Sequence, residues 1–397
     1  MPLASSGLCG TLLTTRHVSS ILVSKHRIAP STFRQHSSMY IPPGLMSSPV
    51  YIEFLRKRFN IPPETKTHIW KFDYDPILQA ADTHGPIFSK ARFDEAYAQY
   101  NKLKDHGGNY TMTDMWNKQH DDHAQPPFDI PGLLFGQHQG MRTKINMVFN
   151  HLQFLADQYP RHRYKSLTAK CPIGFLNEIP HKSAADCFDA ETLNNAKPYW
   201  KTQWHQHPYH EALVSFLMSS YGEKTAQVDQ IVCFGLGNFE DNVDARPRCY
   251  TQHLLACTIR DALAKLQWHK PAIYAQDPAY CPAGVRLLKQ DFDIEVVDDP
   301  EGWRMLNSNT FVVSISPMVP VRQFAVDYTA EAGGPAGMLC NGIVYDGLNE
   351  SWVEFVGHPP HDLEADPASP AVFEYAKERC VERNFRSMTV LPRVQCT

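Results

Sequence analysis

The residues with the clearest chemical meaning are Gly235 and Gly237, which follow an unbroken apolar run at 231–234. Such a run is typical of a central parallel strand that is covered on both faces. Two glycines after the strand let the backbone turn sharply and approach a ligand, because no Cβ stands in the way. Asn238 and Phe239 come next, so the third glycine of the dinucleotide fingerprint is absent. The pattern predicts either a nucleotide-binding turn or a purely structural one.

The elements that must position this turn are read from the pattern between residues 228 and 346, where strand-like runs alternate with helical spacing. The predicted strands are 231–234, 271–278, 293–300, 310–317 and 337–341. Short connections between alternating strands and helices specify a parallel sheet with right-handed crossovers. We therefore predict an α/β, Rossmann-like fold with flanking helices, whose mainly parallel five-stranded sheet has the strand order 3-2-1-4-5.

Ligands of such sheets bind beyond the carboxyl ends of the strands. The residues at those ends are our candidate cofactor-binding residues: Gly235, Gly237, Asn238, Asp277, Asp298, Ser316 and Asn341. Asp277 has a chemical reason to be there, since an acidic side chain after the second strand can accept hydrogen bonds from ribose hydroxyls. It lies 40 residues beyond Gly237, whereas a compact dinucleotide unit needs about 20. The alternative is that Asp277 only turns the chain. Asp299 and Ser314 are acid, base or nucleophile candidates by position alone, and the catalytic residues stay unassigned.

Several motifs occur in one order along this segment. They are FGLGNF at 234–239, YAQDP at 274–278, PEGW at 300–303, SPMVP at 316–320 and CNG at 340–342. Together they resemble the sensitivity-to-red-light-reduced (SRR-like) domain family over 228–345. The resemblance implies a regulatory role, with plant relatives tied to light signalling and the circadian clock, and implies no established reaction. Many relatives carry a Met-Pro-His-Cys-Pro type sequence where this chain has SPMVP, so a mechanism that needs that imidazole or thiol is not expected here.

Four regions are predicted along the chain: a disordered or targeting segment at 1–38, a mostly helical N-terminal region at 39–227, the SRR-like domain at 228–346 and a C-terminal extension with one helix at 347–397. Apolar spacing predicts helices at 89–108, 145–159, 211–221 and 371–385, and composition predicts a polar connection at 358–370. The N-terminal helices either extend the flank of the sheet or form an accessory lobe. The first 38 residues contain basic but no acidic side chains, which is typical of a transit peptide. The alternatives are that this segment is disordered, or that the start site is placed too far upstream of Met39.

Charge and cysteine content limit the function classes. The chain has 38 basic and 42 acidic residues and a net charge of −4, which gives no electrostatic argument for nucleic acid. No apolar run approaches the roughly 18 residues of a membrane span. Ten cysteines without a C-x-x-C pair resemble neither a disulfide framework nor a zinc ribbon. We therefore predict a cytoplasmic or nuclear location, or a mitochondrial one if residues 1–38 are a transit peptide.

Two histidine clusters raise the question of a metal site. His205, His207 and His210 lie close together, and His120 and His123 flank two aspartates. Neither H-E-x-x-H nor its inverse is present, so we predict no metal site. The absence of G-x-S-x-G and of G-x-x-x-x-G-K-[ST] argues against a serine hydrolase and a P-loop NTPase.

The leading hypothesis is a regulatory protein of the SRR-like family that acts through protein partners or a small-molecule signal. The alternative is an enzyme that binds a nucleotide or S-adenosylmethionine at the glycine turn, because the G-x-G sequence and Asp277 resemble a methyltransferase pocket in outline. Whether any reaction is catalysed stays open at this point.

Overall fold

The computed structural model describes residues 67–129, 142–157, 169–178, 190–219, 225–239, 246–315, 317–343, 352–356, 366–380, 383–385 and 388–392. The N-terminal elements are β1 (Thr67–Lys71), α1 (Asp75–His84), α2 (Lys90–Leu103), β2 (Gly108–Thr113), β3 (Gln119–Ala124), β4 (Lys144–Phe149), α3 (Leu152–Ala156) and β5 (Ile173–Glu178). The elements that follow are α4 (Ala190–His205), α5 (Pro208–Leu217), β6 (Gln230–Phe234), α6 (Arg246–Gln267), β7 (Ala272–Gln276), α7 (Pro282–Leu287), β8 (Ile294–Val296), α8 (Glu301–Arg304), β9 (Thr310–Ser314), α9 (Val321–Tyr328), β10 (Gly337–Asn341), β11 (Trp352–Val356), α10 (Pro370–Glu374), β12 (Arg383–Phe385) and β13 (Met388–Pro392).

The main sheet has seven strands in the order β12-β13-β10-β9-β6-β7-β8. Five of these strands, β10, β9, β6, β7 and β8, run parallel. Strand β6 lies between β7 and β9. The predicted strand order 3-2-1-4-5 and the Rossmann-like fold class are therefore confirmed. Two antiparallel strands, β13 and β12, extend the sheet beyond β10.

Alternate side chains of the central strands bury in two separate cores, because successive residues of a strand point to opposite faces. Ile231 and Cys233 of β6 pack into a core with α4, α5 and α6. Val232 and Phe234 pack into a second core with α1, α2, α3, β4, α8, α9 and α10. The sheet is thus covered on both faces, which explains why its central strands read as unbroken apolar runs.

Within the N-terminal region, α1, α2, α3 and β4 pack on the second face of the sheet, whereas α4 and α5 pack on the first. The sheet and these elements fall in one compact unit, residues 41–397. Helix α2 agrees with the helix predicted at 89–108, and the Ser89 side chain caps it by accepting a bond from the Arg92 N–H. The helix predicted at 145–159 is wrong in its first half, since residues 144–149 form β4, which pairs with β5. Residues 145, 146, 147 and 149 are all buried, and the pairing of this segment with β5 overrides its helical spacing.

Helix α9 fastens the N-terminal region through two buried side chains one turn apart. The Gln323 Oε1 atom accepts a hydrogen bond of 3.0 Å from the Leu152 N–H. The Asp327 Oδ2 atom accepts one of 3.2 Å from the Phe88 N–H. Both side chains are at most 6% exposed. A buried backbone N–H without a partner is costly, so these bonds fix how the region docks.

The buried Asp327 carboxyl should make stability depend on pH. Burial, partly offset by its hydrogen bonds and by Arg92, raises its pKa from 3.8 to about 7. A raised acid pKa means that the fold favours the protonated form, so its contribution is complete below about pH 4 and is lost as pH rises through about 7. Asp327→Asn keeps an oxygen for the Phe88 N–H but cannot ionise. In urea titrations, the stability of the wild type relative to this variant should fall from pH 5 to 8, by at most about 1.4 kcal/mol per pH unit. A constant difference would show that Asp327 does not titrate in this range.

The C-terminal part of the chain contributes to the fold at two places. Strand β11 pairs with β1, and α10 buries Val372 before a π-helical turn at Tyr375–Arg379. The helix predicted at 371–385 is therefore too long, because Arg383–Phe385 pair with β13 as β12. Only 366–370 of the predicted polar connection is described, and there Asp366 is 2% exposed. The predicted segment at 1–38 lies outside the described residues.

Candidate functional site

The glycine turn, residues 235–237, lies where β6 ends between β7 and β9. Gly235 and Gly237 have φ angles of +67° and +82°, a region that residues with a Cβ seldom adopt. The sheet reverses its connection order between β6 and β9, and ligands of doubly wound sheets bind at this switch point. Position and backbone conformation are therefore those of a ligand-binding turn.

The backbone N–H groups of both glycines donate hydrogen bonds to residues at the end of β7. The Gly237 N–H donates to Oδ2 of Asp277 over 2.8 Å, and the Gly235 N–H donates to the Gln276 carbonyl over 3.2 Å. The other Asp277 oxygen, Oδ1, accepts from the Ala279 N–H at 2.9 Å. Asp277 thus ties the end of β7 to the glycine turn and also caps the turn that follows β7.

Packing under the turn adds to the need for glycine at 237. A Cβ at Gly237 would lie 2.6 Å from the Cys249 Sγ atom of α6. A Cβ at Gly235 would lie 3.4 Å from the Cα of Pro317, which is an ordinary contact, so there the positive φ alone favours glycine. Leu236 and Phe239 are fully buried. The turn is therefore wedged between α6 and the segment after β9.

Asn238 continues the turn into the protein and is 8% exposed. Its Oδ1 atom would lie 2.9 Å from a Cβ at Gly284, in the first turn of α7. The Cys281 Sγ atom caps the same helix by accepting from the Gly284 N–H at 3.4 Å. Asn238 thus packs against the backbone at the start of α7, which requires glycine there.

A histidine and a tyrosine lie beneath the turn, and sequence reasoning missed them. His253 of α6 is buried, and its Nδ1–H donates to the Cys249 carbonyl at 2.6 Å, so that its Nε2 accepts from the Tyr280 hydroxyl at 2.8 Å. This tautomer follows because a carbonyl can only accept. Burial lowers the pKa of His253 to about 4 and raises that of Tyr280 well above 10. Both side chains are neutral and satisfied near pH 7, so they support α6 and the loop after β7.

A second polar cluster lies past the ends of β7 and β8. The Gln276 Nε2–H donates to Asp299 Oδ1 over 2.9 Å, and the Gln276 Oε1 accepts from the Gly302 N–H over 2.7 Å. Asp299 is half-buried. Loss of water around its carboxyl raises its pKa to about 6. Lys144 of β4 lowers that pKa and Glu178 of β5 raises it. Sequence spacing could not find this cluster, because β4 and β5 precede the sheet by more than fifty residues.

The other predicted site residues that the structure describes lie at or after the carboxyl ends of different strands. Asp298 is exposed, and Ser316 lies outside the described residues. Asn341 ends β10, two strands away from the glycine turn, where its carbonyl accepts from Arg322 Nη1 at 3.4 Å. Ser314 is buried at the end of β9, and its Oγ has no hydrogen-bond partner among the residues that the structure describes. Of the predicted set, Gly237 and Asp277 are bonded directly.

The histidines of the β2–β3 hairpin have structural partners. His120 Nε2 lies 2.8 Å from Asp114 Oδ2, and His123 Nδ1 lies 2.8 Å from Asn109 Oδ1. Asp114 also accepts from two backbone N–H groups of the hairpin turn. Within the described ranges, no group of three or more His, Cys, Asp or Glu side chains is arranged to hold a metal ion.

The sheet order, the two helical layers and the glycine turn define an α/β protein with a Rossmann-like domain. The sequence profile of the SRR1 domain matches residues 191–387 of this chain. The chain therefore carries an SRR1 domain, and the resemblance to the SRR-like family is confirmed. Among curated proteins, no sequence similar to this chain was found.

The matched range is wider than the segment predicted from sequence motifs. It begins at α4 and ends in the C-terminal strands. Helices α4 and α5 pack on α6 in the first core, and β12, the last strand within the match, belongs to the main sheet. Both ends of the match are therefore parts of the same layered structure. None of the helices in the described ranges has the length and apolar character needed to cross a membrane.

Proposed function

We propose that this protein is regulatory and that its SRR1 domain works as a binding module, through protein partners or a small-molecule signal, without turnover. The family resemblance implies a role of the circadian or light-signalling type. A cytoplasmic or nuclear location is part of the proposal, and a mitochondrial location replaces it if residues 1–38 act as a transit peptide.

The observation that carries the proposal is the hydrogen bond from the Gly237 N–H to Asp277. In a dinucleotide-binding turn the backbone comes close to the pyrophosphate, and the acidic residue after the second strand receives the ribose. Here the acidic side chain bonds the turn itself, and both of its oxygens accept from backbone N–H groups. The glycine turn thus has a structural reason to exist that needs no cofactor.

The second candidate is an enzyme that binds a nucleotide or S-adenosylmethionine at the same turn. The location of the turn at the switch point of the sheet favours it, as do the positive φ angles of both glycines. The two candidates differ in one measurable respect. Only the second requires a ligand whose binding depends on Gly237 and Asp277.

We expect no change in melting temperature when the wild-type protein is incubated with S-adenosylmethionine, its demethylated product, NAD or common nucleotides. Gly237→Ala should lower stability by about 1–3 kcal/mol, because it combines a positive φ with the Cys249 contact. Gly85→Ala is the matched control. Gly85 also has a positive φ, +91°, but no atom lies within 4 Å of the position that a Cβ would take there. Because its ψ is 171°, in a region essentially restricted to glycine, its cost should report backbone strain alone, without a packing contact.

A rise in melting temperature with one of these ligands would instead favour the second candidate over the first. A ligand present at a hundred times its dissociation constant stabilises a protein by about 2.7 kcal/mol, which thermal unfolding detects readily. A shift of that kind, lost in both Gly237→Ala and Asp277→Asn, would favour the second candidate, and chemical turnover of the bound compound would identify it as an enzyme. A silent panel, together with a partner that binds wild type and folded Asp277→Asn equally, would support the regulatory module.

A further inference from the structure

The joint between α4 and α5 brings two imidazoles together outside the site described above. His205 is the last residue of α4, and His210 lies in the first turn of α5. A hydrogen bond of 3.4 Å joins His205 Nδ1 and His210 Nε2, so one ring donates its N–H to the other, and the two rings are nearly perpendicular at 84°. His205 is exposed and His210 is half-buried, so both are accessible from solvent.

The surrounding structure holds this pair in place. The Trp204 side chain is 5% exposed, and its Nε1–H donates to the Thr258 Oγ1 of α6 at 2.9 Å. The His210 ring packs edge-on against Trp204, with 5.5 Å between ring centroids. His207 is the N-cap of α5, and its Nδ1 accepts a hydrogen bond from the Tyr209 N–H. The end of one helix and the start of the next are thus both fixed, and ligands held on rigid elements bind metals best.

The geometry points to a zinc site: we propose that His205 Nδ1 and His210 Nε2 bind one Zn²⁺ ion, with water completing the coordination. The ion takes the place of the proton between the two rings, which moves to the other nitrogen of its ring or to solvent. Zinc binds imidazole nitrogen at about 2.0–2.1 Å in a tetrahedral arrangement, which separates two ligand atoms by about 3.3–3.4 Å. Adjacent ligands of a square-planar Cu²⁺ site would lie closer, at about 2.8–2.9 Å. The observed 3.4 Å therefore fits zinc.

The charge state of the pair also suits a metal. Two imidazolium groups this close would repel each other, whereas neutral imidazole is the form that binds zinc. His207 is excluded from the ligand set at its Nδ1 atom, because that atom already accepts the Tyr209 N–H.

Isothermal titration of the full-length, tag-free protein with ZnCl₂ under reducing conditions tests the site. Wild type should bind zinc, and His205→Ala and His210→Ala should each lose one binding event or weaken it at least about tenfold. His207→Asn is the matched control, because it removes the imidazole but keeps an N-cap oxygen for the Tyr209 N–H, and it should bind as wild type does. Circular dichroism checks that all three variants are folded.

Three outcomes would overturn the proposal. Wild type that binds no zinc removes the site. Zinc binding that is equal in wild type and in both ligand variants places the metal elsewhere. An equal loss in His207→Asn means that the pair alone is not the ligand set.

Discussion

Trp303→Ala is expected to lower the free energy of unfolding by about 3–5 kcal/mol, the usual cost of removing a large buried aromatic side chain. Trp303 is 1% exposed and stacks on Phe234 at the end of β6, with ring centroids 4.3 Å apart. It also touches Phe324 of α9 and Phe149 of β4, at 4.6 and 4.9 Å. One side chain thus joins the central strand to the N-terminal region, and its loss leaves a cavity between them.

The matched control is Trp268→Ala. Trp268 is 94% exposed in the connection between α6 and β7, so its replacement should change stability by no more than about 0.5 kcal/mol. Urea unfolding of the two variants beside wild type measures both effects. If Trp303→Ala proves as stable as Trp268→Ala, the aromatic cluster does not hold the N-terminal region on the sheet.

The same aromatic cluster shows why the sequence predicts the sheet better than its surroundings. The order β8-β7-β6-β9-β10 follows from local signals, since each strand is an apolar run and each connection is short. The contact between Phe149 and Trp303 joins residues more than 150 positions apart, and nothing in the local pattern of either segment records it. For this reason local spacing predicts a helix at 145–159, although the first half of that segment is β4.

The candidate site was also predictable only in part from the sequence. Gly235, Gly237 and Asp277 can be named from sequence because glycine and acidic residues at strand ends have a known use. That Asp277 bonds the Gly237 N–H could not be predicted, because composition does not distinguish a ribose-binding carboxylate from one that caps a turn. The cluster around Asp299 needs the tertiary contact of β4 and β5 with the sheet edge. Local patterns therefore predict the scaffold and its candidate positions, and packing decides how each side chain is used.

Arg322→Met is expected to destabilise the protein by about 3–5 kcal/mol, because it leaves a buried carboxylate without its partner. Arg322 and Asp366 are 1% and 2% exposed. The Arg322 Nε–H donates to Asp366 Oδ2 over 3.0 Å, and its backbone N–H donates to Oδ1 over 2.9 Å. The guanidinium also bonds the carbonyls of Asp366, Asn341 and Gly342. This one side chain thereby fastens the segment before α10 to α9 and to the end of β10.

Two further variants separate the charge effect from the packing effect. Arg304→Met breaks an arginine–carboxylate pair of similar length, 2.7 Å to Glu301, but Arg304 is 48% exposed. Its loss should cost at most about 1 kcal/mol. The double variant Arg322→Met with Asp366→Asn removes both buried charges and keeps both the volume at 366 and an oxygen for the backbone N–H of residue 322. It should recover most of the loss, because the uncompensated buried charge is the main cost of breaking such a pair. A double variant no more stable than Arg322→Met would mean that the hydrogen bonds to the backbone carbonyls, and not the orphaned carboxylate, account for the effect of Arg322.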